Sequence, residues 1–237
     1  TRSEVKKYIK SGRVSLNGTT VKNGEIKVDP ELDEVLFDRA CVRKEGFGYY
    51  LLHKPAGYVT ATRDDHDSTV MDLLTIPGKD QFFPVGRLDK DTEGLLLITN
   101  DGDLAHRLLS PKKHVPKTYF ARITGRISED AKDAFKSGLD IGDEKPALPA
   151  ELEIVMTPEN APEETEAFSE VRVTVCEGRF HQVKRMFHAV GHEVVYLKRL
   201  SMGSLQLDEA LKKGEYRRLT DEELLKIREL CGGMKDA

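Results

Sequence analysis

Hydrophobic and polar positions change period several times along this chain. Val5, Tyr8 and Ile9 share one face of a helix predicted over residues 3–10, Lys6, Lys7 and Lys10 lie largely off it, and Gly12 is a fitting C-terminal stop. Arg13-Val14-Ser15-Leu16 then runs into Asn17-Gly18, the strongest two-residue hairpin signal, with Thr19-Thr20-Val21 as the return strand. One helix and one hairpin bury too little surface to stand alone. The small unit they belong to is expected to end near Val35-Leu36-Phe37, with residues 38–48 as a linker.

Beyond it, Tyr49-Tyr50-Leu51-Leu52-His53-Lys54 reads as a strand closed by Pro55 and Gly57. Leu95-Leu96-Leu97-Ile98 reads as a buried strand ended by the Asn100-Asp101-Gly102 turn, and Asp103 is a candidate cap for a helix over residues 104–109. Residues 118–124 and 170–176 alternate or run apolar like strands. Gly178-Arg179 turns into a helix expected to set Phe180, Val183, Phe187 and Val190 against a core, and the Pro- and Glu-rich residues 157–168 read as a solvated loop. Strands and helices mix without a regular βαβα rhythm or an internal repeat. The expectation is an α+β protein: a small helix-and-hairpin domain (1–42), a larger domain (46–230) with a mixed, largely antiparallel sheet, and a flexible tail (231–237).

A chain of 237 residues suits one or two such domains. No apolar run approaches the roughly 20 residues that span a bilayer, and the basic opening lacks the apolar stretch of a secretory signal. Cys41, Cys176 and Cys231 lie far apart and form no CxxC pair, so neither a disulfide framework nor a cysteine zinc site is indicated, and a cytoplasmic setting is expected. His181, His188 and His192 lack a further ligand at a usual zinc spacing, and no metal or organic cofactor is expected. Charge is unevenly spread. Residues 1–28 hold seven Lys/Arg against two Glu, residues 171–218 ten Lys/Arg against five acids, and residues 140–170 ten acids against Lys145 alone. Such segregation suits a polyanion partner on one face, or is simply a set of solvated faces.

The sharpest local feature is Gly86-Arg87-Leu88-Asp89-Lys90-Asp91-Thr92-Glu93-Gly94, running straight into the Leu95 strand. Glycines let the backbone approach a ligand, and an acid at a core edge can be desolvated and held still. A calcium loop would need a bidentate Glu where Asn100 stands. A phosphatase-type DxD nucleophile needs its strand before the aspartates, not after. The acids could also simply cap turns and pair with Arg87 and Lys90.

The motif resembles the signature loop of the ribosomal pseudouridine synthases of the RsuA type. His53-Lys54-Pro55-Ala56-Gly57-Tyr58, Lys117-Thr118-Tyr119, residues 177–187 around Phe180-His181-Gln182-Val183-Lys184-Arg185, Leu197-Lys198-Arg199-Leu200-Ser201-Met202-Gly203 and Gly214-Glu215-Tyr216-Arg217 are similar to further motifs of that family, in its order, over residues 49–225. The opening unit resembles an S4-type RNA-binding domain without its usual first helix.

The resemblance implies an enzyme that breaks a uridine's N1–C1′ bond, turns the uracil and rejoins it through C5, without a cofactor. It makes Asp89 the catalytic carboxylate, as a nucleophile at C1′ or a base at the 2′ position, both of which stay open. A buried ionised Asp89 needs a fixed cation, implied to be Lys184, with Arg185 second. Tyr119 is implied to stack on the uracil and Leu200 to close the pocket; Arg87, Arg179 and His181 are assigned to substrate contact. The bland readings are a core tyrosine, a core leucine and a solvated helix lysine. Lys6, Lys7, Lys10 and Arg13, with Arg107, Lys112, Lys113 and Lys117, form the expected phosphate track. The implied partner is ribosomal RNA, of the small subunit from the resemblance over residues 145–218, with the protein a monomer off the membrane. The alternatives are a large-subunit target and a non-catalytic RNA-binding or ribosome-assembly protein.

Overall fold

A computed structural model of the protein describes residues 2–29, 32–42, 46–158 and 167–232. The chain divides into two compact units, Thr1–Gly46 and Phe47–Ala237.

In the first unit, helix α1 (Arg2–Lys10) leads into strands β1 (Val14–Leu16) and β2 (Thr19–Thr20). Asn17 and Gly18, with φ of 49° and 78°, make the two-residue turn that pairs Leu16 with Thr19. Strands β3 (Val35–Phe37) and β4 (Ala40–Cys41) complete an antiparallel sheet in the order β2-β1-β3-β4. The expected linker therefore begins later than residue 38: Asp38 and Arg39, at φ of 49° and 70°, form a second tight hairpin. No glycine marks that turn, and non-glycine residues rarely adopt positive φ. Instead Asp38 is held by Arg13, whose Nε donates to both carboxylate oxygens at 2.9 and 3.1 Å.

The second unit is built on one mixed sheet. Its path runs from β13 (Tyr216–Arg218) through β5 (Tyr49–Lys54), β7 (Glu93–Thr99), β11 (Val194–Met202), β8 (Lys117–Thr124) and β10 (Phe168–Val175) to β9 (Glu151–Met156). β6 (Phe83–Pro84) pairs with β7, and β12 (Leu205–Gln206) with β11. β7 and β11 run parallel; the other strand pairings are antiparallel.

Period explains the layers. β8 and β10 alternate, one face buried and the other partly open, whereas every residue of β5 and β7 is buried. Those two strands are covered on both sides. Leu51, Leu95 and Leu97 meet a cluster containing Leu104 and Leu108 of α2 (Gly102–Leu109) and Ile227 of α5 (Asp221–Leu230). Leu52, Leu96 and Ile98 meet Val70, Met71 and Phe82. On the β8–β10 half, Phe135 of α3 (Asp130–Ser137) and Phe187 of α4 (Gln182–Ala189), their rings tilted with centroids 5.0 Å apart, share a cluster with Ala121, Val171 and Val173.

Three boundaries differ from expectation. Asp101, not Asp103, caps α2: its carboxylate accepts from Leu104 N at 3.0 Å, while Asp103 pairs one turn on with Arg107 at 2.8 Å. The core extends to Cys231, 3% exposed, where the tail was expected to begin; residues 233–237 lie outside the description. Residues 159–166, most of the expected Pro- and Glu-rich loop, lie outside it too, and β10 already starts at Phe168. Among the described residues no helix is long and apolar enough to cross a membrane.

Candidate active site

Residues 86–92 cross the mouth of the sheet just before β7, and their shape is fixed from beneath. Lys54, at the end of an otherwise apolar strand, is fully buried, and its Nζ donates to the carbonyls of Thr92 (2.7 Å), Asp89 (3.0 Å), Pro55 (3.1 Å) and Lys90 (3.3 Å). Burial pulls its pKa down to about 8, against the opposing pull of Asp91, Asp89 and Glu93. Thr60 Oγ1 donates to Leu88 O (2.7 Å) and accepts from Leu88 N (3.2 Å), and Gly57 N donates to Lys90 O (2.7 Å). The backbone that carries Asp89 is therefore tied on both sides of that residue.

The Asp89 carboxylate meets α4 and the turn before it. Lys184 Nζ lies 3.2 Å from Asp89 Oδ2 and donates to both oxygens of Asp91 at 2.7 and 2.8 Å. One ammonium thus serves two carboxylates. Burial pushes Asp91 up, but the Lys184 hydrogen bond and charge outweigh it, leaving Asp91 below the usual carboxylate range. Lys184 shows the converse: burial lowers it, the two aspartates more than compensate, and it stands above the usual lysine range. His181, at φ 48°, places Nε2 3.6 Å from Asp89 Oδ1. Its ring stacks on Phe180 at 3.8 Å and 16°. Phe180 is 70% exposed: the helix starts only at Gln182, so the expected core contact belongs to Val183 and Phe187.

The floor is the sheet. Across β8 and β11 Tyr119 stands opposite Arg199, so both side chains rise on one face, and Lys117 occupies the same face of β8 two residues earlier. Tyr119, Leu197, Arg87, Arg179 and His181 line the pocket around Asp89. It opens into a cleft of about 700 Å³ reached by Lys117, Cys176 and Arg199. Gly94 admits Arg199 there. A Cβ at Gly94 would lie 2.2 Å from Arg199 O, and the φ of 106° is itself open only to glycine.

The structure brings Asp89, Tyr119, Lys184, Arg87, Arg179 and His181 together. It separates others. Leu200 does not line the pocket, whose apolar residues are Leu88, Val175, Val183 and, three residues before Leu200 on β11, Leu197. Arg185 is turned away from Asp89, with Nε on Ile141 O at 2.9 Å and an ion pair to Asp143. Arg179 is largely consumed by Glu177 Oε2 (3.0 Å) and by the carbonyls of Lys145 (2.6 Å) and Pro146 (2.9 Å). Lys117 leaves the expected surface track: it is 8% exposed, with Nζ on Val115 O at 2.8 Å. Arg13 lies over the rings of Tyr8 and Phe37, 4.7 and 4.6 Å from their centroids, and serves the Asp38 turn. Lys6, Lys7, Lys10, Lys112 and Lys113 are exposed, and Arg107 is half-buried beside Asp103. The calcium geometry is not assembled, because Glu93 turns to Lys213 and Tyr196 at 2.8 and 2.6 Å.

Lys54, Thr60, Leu197 and Arg199 carry site geometry that spacing did not single out. The available signal was a charged residue within a largely apolar strand, at Lys54 after Tyr49-Tyr50-Leu51-Leu52-His53 and, less clearly because Lys198 adjoins it, at Arg199.

A carboxylate on a pinned loop, an ammonium against it and a tyrosine on the sheet floor thus meet in one pocket. Residues 48–189 match the family model described as RNA pseudouridylate synthase, and the chain belongs to that family. It is 48% identical over 225 residues to an uncharacterized RNA pseudouridine synthase of Bacillus subtilis, covering 94% of this chain and 91% of that one. It is 40% identical over 220 residues to ribosomal small subunit pseudouridine synthase A of Escherichia coli, covering 92% and 90%. A crystal structure of a pseudouridylate synthase superposes with a TM-score of 0.69 at 38% identity, covering 96% of this chain and 94% of that one.

Proposed function

We propose that this protein converts a uridine of small-subunit ribosomal RNA to pseudouridine, with Asp89 as the reacting carboxylate. The observation that carries the reading is the Asp89–Lys184 contact of 3.2 Å at the mouth of a pocket floored by Tyr119. The fixed ammonium stands against the carboxylate at the edge of the pocket. Asp89 attacks C1′ or removes the 2′ proton as the N1–C1′ bond breaks. The freed uracil turns in the pocket and C5 bonds to C1′, displacing the Asp89 carboxylate from C1′ in the first route or, in the second, as Asp89 returns the proton to C2′; the C5 proton is then lost as N1 gains one. Tyr119 gives the base a flat surface that recovers part of the roughly few kcal/mol lost on unstacking. Arg87 and His181 contact the RNA at the rim, and Lys6, Lys7 and Lys10, with Lys112 and Lys113, meet its phosphates. Relatives named for the small subunit, matched over nine-tenths of this chain, support that choice of RNA.

Tritium release from [5-³H]uridine-labelled small-subunit rRNA, naked and protein-bound, tests the reading. Wild type should release tritium and Asp89→Asn should not. Release only from large-subunit rRNA would refute the target; tight binding with no release from either RNA would favour a ribosome-assembly role.

A further inference from the structure

The cleft beside the pocket is walled by two buried cations that lack counterions. Arg199 is 2% exposed and Lys117 8%. Among the described residues neither has a carboxylate within ion-pair distance, although a buried charge is costly unless paired. Arg199 uses Nε on Leu95 O at 2.8 Å, while its buried Nη2 has no hydrogen-bond partner. Lys117 Nζ has one protein acceptor, Val115 O, for its three protons. Burial lowers Lys117, and the charge of Arg199 lowers it further. The acids lining the cleft are occupied. Glu177 accepts from Arg179, Gln182 and the amide of Leu148, Asp64 accepts from the amides of His66 and Asp67, and Asp89 faces Lys184.

We infer that Arg199 and Lys117 form a seat for a phosphodiester group of the RNA, within about one nucleotide of the base held on Tyr119. The inference rests on the RNA reading above. Its distance follows from pairing: directly opposed residues on antiparallel strands stand about 5 Å apart, and Arg199 opposes Tyr119. A neutral uracil carbonyl could accept one hydrogen bond but would leave both charges uncompensated. A phosphate supplies the acceptors and the negative charge together, and a guanidinium matches its geometry. The pair is thus distinct from the exposed lysines, which any polyanion could reach.

The test uses the full chain, with uridine 5′-monophosphate and uridine as direct-binding probes and tritium release for turnover. Wild type should bind the nucleotide about tenfold more tightly than the nucleoside, and Lys117→Met should lose most of that preference. In turnover, Lys117→Met should raise KM about tenfold with kcat nearly unchanged. The slope of log KM against log salt should become shallower by about 0.7 for the lost contact on single-stranded RNA. Arg199→Lys should behave likewise; because Arg199 also holds Leu95 O, thermal melting accompanies it, and Lys117→Met stands if Arg199→Lys fails to fold. An unchanged nucleotide preference and salt slope in Lys117→Met would overturn the seat. If wild type released no tritium, the proposed reaction would fall, and the nucleotide preference and its loss would still decide for or against the seat.

Discussion

Lys54 and Arg199 are both buried charges near the pocket that the Asp89 loop lines, and they are treated oppositely. Lys54 spends its ammonium on four backbone carbonyls, and what it stabilises is the course of residues 54–92. Arg199, which lines a cleft, spends one nitrogen on Leu95 O and leaves its buried Nη2 without a hydrogen-bond partner. A buried charge whose hydrogen bonds are complete is scaffold. One whose bonds are incomplete calls for a further acceptor, which at Arg199 is the phosphate proposed above.

The contrast is broken most severely at Asp89, the proposed reacting group, whose loop Lys54 supports. Asp89→Asn should lower turnover at least about 10³-fold, yet shift Tm by less than about 3 °C, because the loop is held through carbonyls and not through this side chain. Tritium release and calorimetry check the two halves. Lys184→Met should cost about 10²-fold in turnover, with Lys184→Arg recovering part, since Asp89 and Asp91 then share no cation. Lys54→Met should reduce both properties. Stability should fall on the order of 2 kcal/mol as carbonyls lose their donor, or about 4–8 °C, and turnover about 10²-fold as the loop drifts.

A smaller effect separates the two kinds of charge by pH. Lys54 has a folded pKa of about 8, below the ordinary unfolded lysine value. The unfolded chain therefore binds more protons between these values, and Lys54 makes stability rise with pH across that window. Deprotonation also removes one donor from the loop, so kcat should fall a few-fold above pH 8 while Tm does not. Lys117 is lowered by burial as well, so the kcat break should persist in Lys117→Met if it belongs to Lys54. Lys184, raised by its aspartates, stays charged through the same window. Paired pH profiles of kcat and Tm decide this. The least effect concerns the apolar wall: Leu197→Ala should raise KM a few-fold more than Leu200→Ala, measured at one salt concentration.

What the sequence made legible followed from local rules. Asn17-Gly18 specified its hairpin, the apolar run at Leu95 its buried strand, and the motif around Asp89 pointed through family likeness to the loop that lines the pocket. Errors arose where two residues could satisfy one rule. Asp101 and Asp103 both precede an apolar helix, and only the observed turn puts Asp101 opposite Leu104 N. Phe180 falls on the helical repeat of Val183 and Phe187, yet the positive φ of His181 ends that repeat before it. Lys117 and Arg13 look like surface cations in one dimension. The burial of Lys117 depends on the pairing of β8 with β10 and β11, and the contact of the still exposed Arg13 with Asp38 on the pairing of β1 with β3, as the choice of Leu197 over Leu200 depends on the pairing of β11.

The meeting of Gly94 with Arg199 has a genetic consequence. Any single-residue replacement at position 94 adds at least one carbon where the backbone of the neighbouring strand is 2.2 Å away. No allele there can be mild by being small, since alanine is already too large. Reversion should therefore arise at codon 94 itself far more readily than through a compensating change in β11, whose backbone, not its side chain, is the obstacle.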